Sequence, residues 1–396
     1  MTDATIVAPQ SEADARPAWG AVLAMTLGVF GLVGAEFLPA SLLTPIAADL
    51  GISEGLAGQA VTATAAVALV TSLVITVATR KLDRRLVLLG LSLFLIFSNL
   101  LVAMSSNLAM LLTGRVLLGI ALGGFWTLSA ATMMRLVPEP HVAKALSVMF
   151  LGVSAATVFA APIGSYVGAI IGWRDVFLGA AVLGAIAFVV QLAMLPSLPP
   201  YGHSRFGTLI EVLARPGVGF AMLAILLVFT GHFAFFTYIR PFLETVTGVG
   251  VEGISAVLLG FGIATFFGNY LGAVLLERSM RLTLSIMPVV MGALALLLAT
   301  FGGSLAGDAA MVGLWGLAFG AVPVAWSTWI TRAVPDEAES AGGLFVAAIN
   351  FAIATGAAAG GALFDANGVT SVFVASGVVL LLAALTIISA VRTRPA

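Results

Sequence analysis

The sequence predicts an all-α integral membrane protein: twelve transmembrane helices in two six-helix bundles related by a parallel repeat. Three observations predict it: a composition too apolar for a water-facing surface, apolar runs of bilayer length along the whole chain, and short matches recurring at a spacing of 196 or 197 residues. Hydrophobic residues make up 61% of the 396 and charged residues 9%, against about 25% charged in a soluble domain. So few charges cannot coat a soluble fold of this size, so lipid must face much of the surface. The net charge of −1 and the lack of a basic cluster point away from nucleic acid. With no cysteine and three scattered histidines, no disulfide, thiolate nucleophile, metal cluster or other cofactor is expected.

A helix crosses roughly 30 Å of hydrocarbon in about 20 residues. Runs of that kind lie at 19–41, 58–79, 86–104, 109–133, 145–169, 174–195, 217–241, 254–276, 284–303, 309–331, 341–363 and 370–391. They are continuous, whereas barrel strands alternate over about ten residues. Residues 1–18 read as a cytosolic tail, because a weakly basic start followed by so long an apolar run is not a cleavable signal. An inside N-terminus puts all but three of the 17 basic residues on the cytoplasmic side; the exceptions are Arg115 and Arg240 within spans and Arg174 at an outer edge. This bias places both termini in the cytosol.

The repeat shows in M-R-L-V-P-E at 134–139 and T-R-A-V-P-D at 331–336, which stand 197 residues apart. The same offset carries Gly123 to Gly320 and Gly164 to Gly361, and an offset of 196 takes G-W-R-D-V-F at 172–177 to G-V-T-S-V-F at 368–373. The expected organisation is therefore a bundle over 19–195, a cytosolic linker over 196–216 rich in proline at its start, a second bundle over 217–391 and a short tail at 392–396. In secondary transporters such a repeat places the substrate site at midplane between the halves.

Within the spans, Glu36 stands out. A carboxylate at a membrane helix centre is unfavourable by about 2.5–3.5 kcal/mol on insertion scales, and such residues are functional by default. Its functional reading is a proton-coupling group facing a water-filled cavity; the alternative is a structural hydrogen bond near the outer interface, with Pro39 and Pro45 close behind. Arg115, Gly119, Leu122, Trp126 and Ser129 share one face of span 4 by helical spacing, which reads as cavity-lining. Alternatively, Gly119 and Gly123 form a small-residue packing seam and Trp126 fills core. A buried guanidinium needs a carboxylate or carbonyl partner, so Arg115 is expected to face Glu36 or the ligand.

Span 7 carries His232, Phe236 and Arg240 on one stripe and Thr237, Pro241 and Glu244 on the next, and span 10 carries Trp326, Ser327, Thr328 and Trp329 after Pro323. Aromatic walls with a few placed polar groups suit a small-molecule site, although Trp and Phe also serve as lipid-facing anchors. Arg240 and Glu244, four apart, read as an ion pair or outer gate. Asn350 could bond ligand or another helix.

Several segments carry a family resemblance. The loop T-R-K-L-D-R-R-L-V-L-L at 79–89 is similar to the G-x-x-x-D-R-x-G-R loop of the major facilitator superfamily, with Asp83 and Arg84 matching and the glycines absent. R-V-L-L-G at 115–119 resembles its R-x-x-Q-G motif, with Leu118 in place of glutamine. A-P-I-G-S-Y-V-G at 161–168 resembles the G-P-x-x-G-G antiporter motif through Pro162, Gly164 and Gly168. These motifs place the resemblance with the twelve-helix drug:proton antiporters. E-F-L-P-A-S-L-L-T-P (36–45), D-L-G-I-S-E-G-L-A-G-Q (49–59), G-R-V-L-L-G-I-A-L-G-G-F-W (114–126), F-A-F-F-T-Y-I-R-P (233–241) and V-P-V-A-W-S-T-W-I-T-R (322–332) look more specifically like bacterial purine-nucleoside exporters.

The resemblance implies the major facilitator fold, a monomer in the cell inner membrane, a gating loop at Asp83 and Arg84, and efflux of inosine- and guanosine-like nucleosides in exchange for protons. Export of sugars or amphipathic drugs would use the same scaffold. A channel has no use for such a repeat with one intramembrane acid in one half. A membrane enzyme needs a nucleophile–base pair or metal cluster, and neither is visible. No G-x-x-x-x-G-K-[ST] is present, so no P-loop ATP engine is expected.

Overall fold

A computed structural model describes residues 17–199, 211–334 and 338–391. In chain order its helices are α1 (Trp19–Ser41), α2 (Leu43–Leu50), α3 (Glu54–Ala78), α4 (Arg84–Ala103), α5 (Leu108–Leu136), α6 (Val142–Ile171) and α7 (Trp173–Met194). They continue with α8 (Val218–Thr237), α9 (Ile239–Thr245), α10 (Val251–Arg278), α11 (Met280–Phe301), α12 (Leu305–Ala333), α13 (Ala338–Asn367) and α14 (Val369–Ala390). Twelve helices are long and apolar enough to cross a membrane; α2 and α9 are the short exceptions. The expected tail through residue 16, linker residues 200–210, the second repeat motif's 335–336 and the end from 392 lie outside the described residues.

One expected span is corrected, and span 1 ends where expected but is followed by an unexpected short helix. Span 7 does not run to residue 241 but stops at Thr237, and a short helix follows the break at Tyr238. Span 1 stops at Ser41 and breaks likewise at Leu42, before the unexpected α2. The cause is Pro241 in one case and Pro45 in the other: each lacks the N–H that would bond the carbonyl four residues back, and its ring crowds that carbonyl. Arg240 therefore leaves the stripe of His232 and Phe236, Glu244 leaves that of Thr237, and both sit on α9.

The two breaks repeat at the offset of 196, and the packing repeats with them. A Cβ on Gly123 would lie 2.3 Å from the Ala68 carbonyl oxygen; one on Gly320 would lie 2.1 Å from that of Thr265. Both contacts are backbone on backbone, and both members of the second pair stand 197 residues after the first. Hence α5 packs on α3 as α12 packs on α10, in the same register. Glycine here removes the side chain that would hold the helices apart. The halves meet along α3 against α13 and α6 against α10. Gly164 and Gly168 of α6 press against the end of α1, where added Cβ atoms would meet Leu38 at 2.7 Å and Leu42 at 2.5 Å.

Twelve spans return the chain to its starting side, so one end of the bundle carries the termini and the other, distal, end carries the α1–α2 and α8–α9 breaks. At the distal end hydrogen bonds tie the halves together. Thr44 donates to Glu244 at 2.5 Å, and Ser53 and the Gly55 N–H donate to Asp365 at 2.7 and 3.2 Å. Arg240 pairs with Glu244 at 2.7 Å and donates across to the Ser41 carbonyl and to the Ser165 hydroxyl. Buried residues of α3 stop at Ala68; its last ten positions are half-buried or exposed, with Ile75 still packed on the core of the first half.

The loop expected to gate instead forms a cap and a clasp inside one half. Asp83 caps α4 by accepting from the Arg85 N–H at 2.8 Å, and it accepts from the Leu198 N–H at 2.9 Å and the Ser197 hydroxyl at 2.5 Å beyond α7. Arg84 turns away from it to Thr79, at 2.8 Å to the hydroxyl. Partial burial pulls the Asp83 carboxyl up, but the hydrogen bonds from Ser197, Leu198 and Arg85, with Arg135 nearby, outweigh it and hold the group below the usual carboxylate range.

Two outcomes follow. Asp83→Ala should lower the thermal unfolding midpoint of the detergent-solubilised protein at pH 7, through loss of about 1 kcal/mol for the cap. A depressed carboxyl contributes fully above its unfolded value near 4 and loses that contribution as pH falls through the lower folded value. The gap between wild type and variant should therefore shrink below about pH 4; a gap that stayed constant down to pH 2 would refute the assignment. At the other end, the double variant Glu244→Gln, Asp365→Asn should weaken the distal tie. In this cysteine-free chain, a lone Phe37→Cys should then react faster with an impermeant thiol reagent added from the distal side, and an unchanged rate would count against the tie.

Candidate functional site

Pro39 lies inside α1 and leaves the Ala35 carbonyl without its helical partner. Arg115, 0% exposed on α5, takes that oxygen at 2.9 Å through Nη1 and the Ala60 carbonyl of α3 at 3.2 Å through Nε. Its own backbone carbonyl accepts from the Thr64 hydroxyl at 3.3 Å. Three helices are thus joined at one guanidinium, and its Nη2 has no protein partner. The sequence left open whether its partner was carboxylate or carbonyl; the structure gives two carbonyls.

Glu36 follows Ala35 directly. It is half-buried and takes no hydrogen bond or ion pair among the described residues, although the Arg115 charge acts on it. A carboxylate at this depth that is neither capped nor paired is free to exchange a proton or meet a ligand. Its neighbour Phe37 reaches across the halves to Phe236, with ring centroids 5.4 Å apart and planes nearly perpendicular.

On the other half, His232 occupies the position 196 residues after Glu36. It is 1% exposed and stacks on Phe319 with centroids 3.3 Å apart, while Phe236 and Phe261 lie nearly parallel to it at 5.8 and 6.3 Å. The indole N–H of Trp315 donates to its Nδ1 at 3.1 Å. Phe236 therefore links the wall around His232 to the Glu36 side of the cleft.

The expected site residues fall into two groups. Glu36, Arg115, His232, Phe236 and Thr237 gather toward the distal ends of α1, α5 and α8. Trp126 lies eleven positions beyond Arg115 along α5, about 16 Å at helical rise, and packs on Phe150. Trp326 is buried edge-to-face against Trp329, and Ser327 is exposed. The expectation that the whole span 4 stripe lines a cavity is corrected: Gly119 packs on α3, where a Cβ would meet the Thr64 carbonyl at 2.5 Å. Ser129, Thr237 and Asn350 donate to the carbonyls of Trp126, Phe233 and Val346 in their own helices. In a dry interior this local bond is the ready way to satisfy a lone polar side chain.

Sequence reasoning missed Trp315, Phe319 and Phe261, which carry no pattern distinct from ordinary apolar helix. It also missed Thr44, Ser165 and Asp365, whose partners are remote in the chain. A groove of about 400 Å³ between α6 and α10, lined by Ser154, Phe266, Phe267, Asn269 and Tyr270, lies apart from Glu36. Phe266, Phe267 and Tyr270 are exposed, and the groove lies where the halves meet.

Comparison with known proteins agrees with this architecture. The chain is 48% identical over 381 residues, 96% of each sequence, to the purine ribonucleoside efflux pump NepI of Salmonella typhi. It is 47% identical over 384 residues, 97% of each, to the pump of that name from Escherichia coli (strain K12 / MC4100 / BW2952). Among solved structures, a bacterial homolog to the human lysosomal transporter Spinster, inward-facing and unoccupied, superposes with a TM-score of 0.75 at 16% identity, covering 95% of this chain and 97% of the other. The nucleoside transporter NupG gives 0.75 at 14% identity, covering 93% and 100%; at these identities the likeness concerns the fold. The family model of the Major Facilitator Superfamily matches residues 25–346, and with the repeated six-helix halves and the extensive identity to facilitator pumps this chain belongs to that superfamily of transporters.

Proposed function

We propose that the protein exports purine ribonucleosides such as inosine and guanosine across the bacterial inner membrane, exchanging them for protons by alternating access. Identity of 47–48% over nearly the whole chain to pumps of that name supports the substrate class. The observation that carries the coupling is Glu36, an unpaired carboxylate inside a span beside a cation whose own bonds go to carbonyls. Both termini are taken as cytosolic, on the basic-residue bias. The distal end is then the outside, and the described conformation is shut against it.

The cycle follows from these placements. With the distal tie made, nucleoside enters from the cytosol against the aromatic wall of α8. Release of the tie and closure of the cytosolic end turn Glu36 to the outside, where a proton is taken up as nucleoside leaves. Reversal delivers the proton inward. Arg115 fixes α1 to α3 and α5 through backbone oxygens and supplies a positive field at Glu36, so loss of the proton inside leaves a carboxylate that is not isolated. Asp83 and Arg84 hold the cytosolic end of the first half together during this motion.

Radiolabelled inosine uptake into everted vesicles, with and without an imposed pH gradient, tests the reading. Uptake should rise several-fold with the gradient in wild type. Glu36→Gln, which keeps shape and removes titration, should abolish that rise; an unaltered response in this variant would remove Glu36 from the mechanism. Gradient-driven uptake of arabinose or chloramphenicol in place of inosine would reassign the cargo. Arg115→Lys keeps the charge but cannot span both carbonyls with a planar fork, and it should lower uptake at least tenfold at equal membrane content. Near-normal flux in this variant would show that charge alone suffices.

A further inference from the structure

The site around His232 has a specific chemical consequence. An indole nitrogen only donates, so Nδ1 of His232, receiving the Trp315 N–H at 3.1 Å, carries no proton in this arrangement. The ring proton then sits on Nε2 in the neutral form, with one tautomer selected by its neighbour. Phe319 covers one face of the ring at 3.3 Å, and Phe236 and Phe261 lie nearly parallel to it. What remains is an N–H at the ring edge, and it has no acceptor among the described residues although His232 is 1% exposed. A donor edge that makes no bond to protein is open to an acceptor on a ligand. Here the surroundings are Phe229, Phe233, Phe236, Phe261 and Phe319, which offer no acceptor.

We propose that His232 is a specificity-determining residue for the transported nucleoside: its Nε2–H donates to a ring-nitrogen acceptor of the purine base, and Trp315 is the positioning residue that keeps the proton on that edge. This rests on the nucleoside reading given above. The repeat sharpens the assignment. The same position in the two halves carries an acceptor and proton carrier in Glu36 and a fixed donor in His232, on either side of the Phe37–Phe236 contact. The first half handles the exchanged proton, while the second half identifies the base. A purine supplies flat apolar faces to the phenylalanines and in-plane nitrogen acceptors at positions 3 and 7, so an edge-on donor in an aromatic wall fits it.

The test compares inosine with 7-deazainosine and 3-deazainosine, each of which replaces one ring acceptor by C–H. Vesicle uptake of all three is measured for wild type, His232→Phe and Trp315→Phe. Wild type should favour inosine over one of the two analogues by about tenfold, the worth of a buried hydrogen bond. His232→Phe, a flat replacement among other aromatics, should bring that ratio close to one. Trp315→Phe removes the tautomer-fixing donor along with some buried ring volume and should give an intermediate ratio; a purely structural role would lower all three fluxes equally and leave the ratio unchanged. Equal uptake of inosine and both analogues by wild type, or an undiminished ratio in His232→Phe, overturns the proposal while nucleoside export stands. Absence of inosine uptake by wild type overturns both.

Discussion

Two backbone oxygens released by proline, and the two arginines that take them, organise this molecule. Pro39 frees the Ala35 carbonyl and Arg115 binds it; Pro45 frees the Ser41 carbonyl and Arg240 binds it from the opposite half. In lipid an unpaired carbonyl is unfavourable by several kcal/mol, and a buried guanidinium without partners is worse. Each therefore requires the other. The first bond joins α1 to α5 within one half, whereas the second crosses between halves. Because Arg115 satisfies itself largely on carbonyls, Glu36 beside it is left unpaired. Had the two formed a close ion pair, the carboxylate would be locked, and moving a proton on and off it would first require breaking that pair.

The chemistry is asymmetric although the scaffold is symmetric. The helix breaks at Leu42 and Tyr238 repeat at an offset of 196, and the glycine contacts at Gly123 and Gly320 at 197. At the repeated positions the polar residues differ: Glu36 against His232, and Thr44 against Arg240. Thr44 and Arg240 also meet the same acid, since both donate to Glu244. A duplicated frame supplies equivalent places on each side of the cleft, and substitution at those places divides the work between halves.

The fold was largely legible because its signals are local. A span is announced by its own length and apolarity, and the repeat by short strings such as V-P and V-F. The break in span 7 was not, because hydropathy runs without interruption through F-A-F-F-T-Y-I-R-P and only Pro241 marks it. Glu36 and Arg115 stood out because a charge in a span is anomalous at once. Trp315 could not, since a tryptophan in an apolar helix looks the same whether it fills space or fixes a histidine tautomer. Thr44 and Asp365 owe their roles to partners about 200 and 310 residues away along the chain, and one unaligned sequence carries no trace of such pairing. Ser129, Thr237 and Asn350 show the opposite error: polar residues at plausible places can be spent on their own helix.

The distribution of polar and small contacts also explains how such a body can rock. Within each half, helices are keyed backbone to backbone at glycines, contacts that tolerate no extra atom and so move together. Between halves at the distal end, the ties are side-chain hydrogen bonds to Glu244 and Asp365, each worth about 1.5–3 kcal/mol because one partner is charged. A few such bonds match the roughly 5.5 kcal/mol needed to swing a two-state balance from one side to the other. They are strong enough to hold the distal end shut and weak enough for water and a bound ligand to replace. Between the halves such bonds act beside glycine contacts, Gly55 on Gly361 and Gly262 on Val158, that let the two bodies approach closely around the cleft where Glu36 and His232 stand.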